Sequence, residues 1–278
     1  MKLLLIGKTS FIAKVFSFYC DANSIDYEAC SHLNIPEELG SFSWIINFSL
    51  NPRFFSESYS AIIDQDALIV DKIQKVKHVK YVMLSTRRVY GSDNVLYLYS
   101  EGDPLDNTRN THYGRNKICS EEYCRSVLSP DNLLIVRGSN IFGYEIGRRS
   151  FTGIAMDGLL KNSEIELDIS GKTVRDFLPV HTFVKYLAHL ITRECVGVFN
   201  VGAGFGLTLE EFCTALISGY GRGRIITASD AVVQDQFILD SQRLISAGGV
   251  KTDKTQVITF VGSLGRKLRE EGGVRVNV

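Results

Sequence analysis

The sequence predicts an α/β fold, a parallel sheet covered by helices on both faces. Three observations carry that expectation. Short apolar runs alternate with helical patterns through the first half, and the runs are near-continuously apolar, as strands buried on both faces are. Five prolines and no low-complexity tract leave no obvious linker. The chain has 278 residues, 45% hydrophobic and 22% charged, enough for a sizeable core in one large domain or two joined lobes.

Taken in order, "KLLLI" reads as the first strand, and Gly7 ends it. A helix follows with Phe11, Ile12, Val15, Phe16 and Tyr19 on one broad face. "DYEAC" is a weaker second strand and "SWIINFSL" a clear third. A helical stretch through "SAIIDQDALIVDKIQKV" leads to the strand "KYVML". "KICSEEYCRSVL" is helical again, and "NLLIVRGS" is another apolar strand. Beyond it the character changes. "SEIELDIS" alternates Ile165, Leu167 and Ile169 like a half-exposed strand, "GVFNVGAG" is a short strand ending in glycines, and "TLEEFCTALI" is helical. The tail from about Tyr220 reads as a smaller mixed lobe.

Lys plus Arg and Asp plus Glu both number 31, so the chain offers no global basic field for nucleic acid. The six cysteines show no CxxC or Cys/His spacing for a metal and read as reduced thiols. The opening "MKLLLIGKTSF" is too short in apolar residues for a signal peptide, and no run reaches membrane-spanning length. The expectation is a cytoplasmic protein with no metal, no membrane partner and no nucleic-acid partner.

Three motifs bear on chemistry. Gly7, Ser10 and Ala13 fall at the spacing of a GxxGxxG dinucleotide fingerprint. Ser10 weakens the match, because a side chain stands where backbone should approach pyrophosphate. The acidic residue expected some 20 positions on, at the end of the second strand, is missing; the sequence there is Cys30-Ser31-His32. That absence leans the cofactor expectation from NAD toward NADP. In "THYGRNK", Tyr113 and Lys117 lie one helical turn apart. An ammonium there favours ionisation of a phenol that otherwise titrates near about 10, which suits a proton donor or acceptor. Finally, "STRRVYG" places two hydroxyls and two guanidiniums where the "KYVML" strand reaches the surface.

Together these segments resemble the extended short-chain dehydrogenase/reductase family, whose members are NAD(P)-dependent sugar-nucleotide epimerases, dehydratases and ketoreductases. "MKLLLIGKTSFIA" stands at the glycine fingerprint, "WIINFSL" resembles VINxAA, "MLSTRRVYG" resembles SSxxVYG, and "YGRNK" matches YxxxK. "IVRGSNIFG" is similar to RPxNVYG, "VRDFLPV" to RDFIHV, and "GVFNVGAG" to GVYNVGSG. The likeness spans about Met1 to Phe212. It implies a Rossmann-type doubly wound domain over residues 1–143, with 174–204 returning to it, and a mostly substrate-binding lobe over 144–278. It implies Thr86, Tyr113 and Lys117 as catalytic residues. Cofactor contacts are implied for Gly7, Thr9, Ser10, Phe11, Ile12, Asn47, Ser49 and Ser85, besides Tyr113 and Lys117. Substrate contacts are implied for Thr86, Arg87, Asn140 and Arg175, the last facing a diphosphate. A homodimer is compatible with this reading. Gly138 departs from the family proline, and Val180-His181-Thr182 lacks its usual aspartate. Asp176 and Glu121 read as structural.

The same likeness discriminates among reactions. Family 4,6-dehydratases carry Asp-Glu directly after the catalytic Thr, where this chain has Arg87 and Arg88. Guanidiniums stay protonated and cannot serve as that acid and base. A nucleotide-sugar 4-ketoreductase is favoured by the chain's length and by the missing ribose carboxylate. A 4-epimerase is the alternative, and a non-catalytic dinucleotide sensor the third reading. For the two arginines themselves, a solvated or ion-paired role stands beside contact with substrate.

Overall fold

A computed structural model describes residues 1–275. Six strands form its central sheet: β1 (Lys2–Ile6), β2 (Asp26–Cys30), β3 (Trp44–Asn47), β4 (Lys80–Thr86), β5 (Leu133–Gly138) and β6 (Gly197–Val201). All pair in parallel, in the order β2-β1-β3-β4-β5-β6. Helices α1 (Phe11–Ala22) and α5 (Val180–Thr192) cover one face, and α2 (Gln65–Ile73) and α3 (His112–Val127) the other. The alternation along β1 shows why both faces need covering: Leu3 and Leu5 enter the α1/α5 core, Leu4 and Ile6 the opposite one. This is a doubly wound, Rossmann-type sheet whose order reverses at β1 and β3, where such sheets bind ligands beyond their carboxyl ends. Only residues 31–43 join β2 to β3 and they hold no helix, so β2 stays the edge strand.

The second core lies over α4 (Phe151–Asn162), α6 (Leu209–Tyr220) and α8 (Lys254–Arg275), with the parallel pair Glu164–Leu167 and Arg224–Thr227. Phe142, Phe151, Phe177 and Phe212 interlock at its centre, with ring centroids 4.6 to 6.1 Å apart. The short α7 (Gln242–Ser246) packs on β6. The tail is thus more helical than its sequence suggested. Polar positions and glycines dilute the apolar stripe of α8, and its contacts with α6 stabilise it instead. His181 lies in the first turn of α5, edge-on to Phe260 at 4.5 Å.

Candidate active site

Glycine at position 7 is required by the fold itself. Its φ is +91°, and a Cβ would stand 2.7 Å from the Ser49 nitrogen at the end of β3. The chain then turns into α1, where Ser10 is the N-cap and its hydroxyl accepts a bond from the Ala13 N–H at 3.2 Å. The backbone N–H groups of Phe11 and Ile12 have no partner among the described residues. Two free donors at a helix N-terminus, beside the β1/β3 crevice, suit a pyrophosphate. Phe11 packs against Gly143, where a Cβ would come within 2.7 Å of its ring, and lies under the Arg148 guanidinium. Thr9 and the neighbouring Lys8 are exposed. Cys30 ends β2 as expected, with its carbonyl accepting the Gly7 and Lys8 N–H groups.

Asn47 and Ser49 face inward from the end of β3. The Asn47 Oδ1 accepts both the backbone N–H and the hydroxyl of Ser49, and its amide donates to Asp66 Oδ1 at 2.8 Å. Asp66 belongs to α2 and receives the Tyr81 hydroxyl at 2.7 Å and the Lys117 ammonium at 2.8 Å. Asn47, Ser49 and Lys117 are thus joined through an aspartate that the sequence reading did not single out. "IDQDALI" shows only an acidic residue in a helical first turn, and nothing in its spacing reveals the partner 51 positions away.

Thr111 caps α3 by accepting the Gly114 N–H, placing Tyr113 and Lys117 one turn apart. Gly114 leaves room for Asn110: a Cβ there would fall 1.9 Å from the Asn110 Oδ1. The Asn110 amide in turn bonds the Arg88 carbonyl at 2.6 Å and the Asp106 carbonyl at 3.0 Å. This ties the start of α3 to the turn that follows Thr86. Tyr113 stacks on the exposed Phe55 with ring centroids 4.9 Å apart, and its hydroxyl has no bond among the described residues. Thr86 ends β4, half-buried, and its oxygen accepts the Arg88 N–H at 3.2 Å, leaving the hydroxyl proton free to donate. No hydrogen bond links Thr86, Tyr113 and Lys117 to one another among the described residues.

Ser85, expected at the cofactor, instead donates to Glu121 at 2.6 Å. Glu121 is fully buried, also ion-paired with Arg137 and Arg125, and held below the usual carboxylate range: burial opposes this, but the Arg137 contact outweighs it. It fastens α3 to both β4 and β5. Asp176, also fully buried, accepts the N–H groups of Ala203, Gly204 and Leu239; burial pushes it up to about 6 against those bonds.

The arginines of "STRRVYG" are ion-paired. Arg87 is 3% exposed, bonded to both oxygens of Asp235 at 2.6 Å and stacked 3.9 Å from the Phe237 ring. Its expected contact with substrate therefore differs from what the fold provides, since burial leaves Arg88 and not Arg87 on the cleft wall. Arg88 binds the same carboxylate through both terminal nitrogens at 2.8 Å, Arg175 through one at 3.1 Å, and Ser92 donates at 2.9 Å. Burial and the Arg88 charge pull Arg87 down to about 9 against Asp235, so it stays charged at neutral pH. Three guanidiniums share one carboxylate, an excess of two positive charges. Asp235 has φ +56°, a conformation that asparagine and aspartate tolerate better than most residues. It lies in "QDQF", where no local pattern announces a partner 148 residues away. Arg88, Arg175, Ser92 and Asp235 line a cleft of about 790 Å³ with Phe151, Glu166 and Asp168. Asn140 lies at the start of a three-residue strand, half-buried, and its side chain has no hydrogen bond among the described residues.

Residues 60–202, just over half of the chain, match the model of the NAD dependent epimerase/dehydratase family. The chain belongs to that family. A curated relative, the ADP-L-glycero-D-manno-heptose-6-epimerase of Alkalilimnicola ehrlichii, is 24% identical over 162 residues. The match covers 54% of this chain and 49% of that one, so the chain spans about half the length of the relative it matches. Among solved structures, TunA, a NAD-dependent NDP-hexosamine 5,6-dehydratase of tunicamycin biosynthesis, is 18% identical with a TM-score of 0.79. That match covers 97% of this chain and 98% of that one. The dTDP-glucose 4,6-dehydratase of Bacillus anthracis, in complex with NAD, is 18% identical at a TM-score of 0.77, covering 98% of each chain. The UDP-glucose 4-epimerase of Thermotoga maritima is 17% identical at 0.76, covering 98% and 99%. At these identities the likeness shows the fold. Among the described residues, this family member has no helix long and apolar enough to cross a membrane and no cluster of ligands for a metal.

Proposed function

We propose that the protein is an NAD(P)-dependent oxidoreductase that reduces the C4 ketone of a nucleotide-activated sugar, with Tyr113 as the acid. The pair Arg87 and Arg88, both bound to Asp235 directly after Thr86, argues against dehydration, and the lack of a carboxylate at the end of β2 favours reduction over epimerisation. Dehydration across C5 and C6 needs an acid and a base at those positions, and neither guanidinium can be either. The free N–H groups of Phe11 and Ile12 would hold the dinucleotide pyrophosphate, with Gly7 and Thr9 at the turn beside them. Asn47 and Ser49 shape the crevice beneath. The nicotinamide, when bound, would supply hydride to the ketone carbon. The Thr86 hydroxyl donates a hydrogen bond to the ketone oxygen, and the Tyr113 hydroxyl delivers the proton that balances the hydride. Lys117, with Tyr113 a turn away, would hold the ribose. Arg175, Arg88 and Asn140 would receive the sugar-nucleotide diphosphate, since guanidinium groups pair with phosphate oxygens in a bidentate fork. The end of β2 presents no carboxylate, and exposed Lys8 stands beside Cys30, which supports acceptance of NADPH as well as NADH.

A second reading, 4-epimerisation, draws support from the epimerase relative and uses the same residues to oxidise and then re-reduce one carbon. Purified protein given a 4-keto nucleotide sugar and NADPH or NADH distinguishes them. Reduction consumes one nicotinamide equivalent per sugar, and Tyr113→Phe slows it by at least about 100-fold. Sugar interconversion with no net change at the nicotinamide band would replace the first reading by the second.

A further inference from the structure

We propose that Asp66 is a positioning residue of this site, fixing the Lys117 ammonium and keeping it charged beside Tyr113 one turn away. The proposal rests on the acid/base reading of Tyr113. Lys117 and Asp66 are buried together, with side chains 4% and 2% exposed and a 2.8 Å contact between Nζ and Oδ2. The other oxygen of Asp66 accepts Asn47 from β3 and Tyr81 from β4. Its backbone N–H donates to Asp64 Oδ1 at 2.9 Å. A carboxylate held by donors from two strands, on a residue whose backbone is itself tied to Asp64, cannot follow a lysine side chain, so the ammonium must come to it. An ammonium carries three donors, and Asp66 takes one. The other two have no hydrogen-bond acceptor among the described residues although Lys117 is buried and the Phe54 ring centroid lies 5.9 Å from Nζ, so Asp66 fixes one corner of the ammonium and leaves two N–H bonds for a ligand. A vicinal diol, such as a ribose, has the two acceptors to match.

The electrostatics follow from the same contacts. Asp66 and Asp64 on α2, Tyr113 on the helix of Lys117 itself, and Tyr81 and Cys124 packed against the pair are the titratable groups around it. Asp64 accepts the hydroxyls of Tyr59 and Ser120, and burial together with Asp66 raises it above the usual carboxylate range. Burial works against the Lys117 ammonium, but the Asp66 charge outweighs it, so the lysine is held charged. The Lys117 charge beside the phenol therefore depends on an anion 2.8 Å from the ammonium. Without that anion burial acts on the ammonium with less opposition, and loss of its charge removes the positive field that favours ionisation of the phenol.

Two variants test this without turnover. Tyrosinate absorbance is titrated in Asp66→Asn and in wild type, and the signal of Tyr113 is isolated by subtracting the same protein carrying Tyr113→Phe. The expected result is a midpoint about one pH unit higher in Asp66→Asn, the scale on which loss of a nearby positive charge acts. An unmoved midpoint overturns the proposal. Asp66→Glu keeps the charge but carries the carboxylate one methylene further. Its tyrosinate midpoint should match wild type, while NADH binding, followed by fluorescence, weakens about 10-fold. Unchanged NADH affinity overturns the positioning role, and this arm decides the matter if Asp66→Asn fails to fold. A chain that reduces no sugar would refute the proposed function and leave the tyrosinate result standing.

Discussion

Replacing Asp235 with Asn removes one negative charge from beneath three guanidiniums while keeping the side chain's shape. The Asp235 side chain is 9% exposed and that of Arg87 4%, so Arg87 is left as an uncompensated buried cation. Breaking a buried pair in this way costs roughly 3–5 kcal/mol. The lower end applies, because the Asn oxygen still accepts a bond and Arg88, 30% exposed, can turn toward water. A loss of about 3 kcal/mol lowers the melting temperature by roughly 6–10 °C in a chain of this size. Thermal unfolding by circular dichroism measures it. Adding Arg87→Met to Asp235→Asn removes both ends of the buried pair and should restore at least about half of the loss. A fall below about 2 °C, or a double variant no more stable than the single one, would refute the reasoning. The pH dependence provides a second arm. Burial works to raise the Asp235 carboxyl, but Arg87 and Arg88 outweigh it and hold the group below the usual carboxylate range. Its contribution is complete above the unfolded value near about 3.9 and is lost as pH falls through the folded value. The stability gap between wild type and Asp235→Asn should therefore be constant from pH 5 to 7 and narrow in acid below about pH 4.

Gly114→Ala would push a methyl group into Asn110, whose amide ties α3 to the Arg88 carbonyl. Turnover should drop by at least about 10-fold, a cost of misplacing Tyr113 against Thr86, and unchanged steady-state kinetics would show that this link does not position the site. Ser10→Gly removes the N-cap hydroxyl of α1 but opens the approach to the Phe11 and Ile12 N–H groups. It should cost only a few tenths of a kcal/mol in stability while tightening dinucleotide binding in a fluorescence titration; weaker binding would mean that the Ser10 hydroxyl is itself a phosphate ligand.

What was legible in the sequence was everything governed by local pattern. The apolar runs at Lys2–Ile6, Trp44–Asn47, Lys80–Thr86 and Leu133–Gly138 are strands because both faces of each are buried, and their composition already says so. Tyr113 and Lys117 share a helix face because their spacing of four residues dictates it. The family followed from motif order alone. What only the tertiary structure decided was which charges meet. Asp66 reaches Lys117 across 51 positions, and Asp235 reaches Arg87 across 148, from segments with no pattern of their own. An ion pair leaves no periodic trace in either partner's sequence, because its strength depends on distance and burial, which only the folded chain supplies. "STRRVYG" illustrates the difference. Its place at a strand end was readable, but that Arg87 turns inward onto Asp235 while Arg88 stays on the cleft wall was settled by where the fold sets the Asp235–Phe237 segment against the turn after β4.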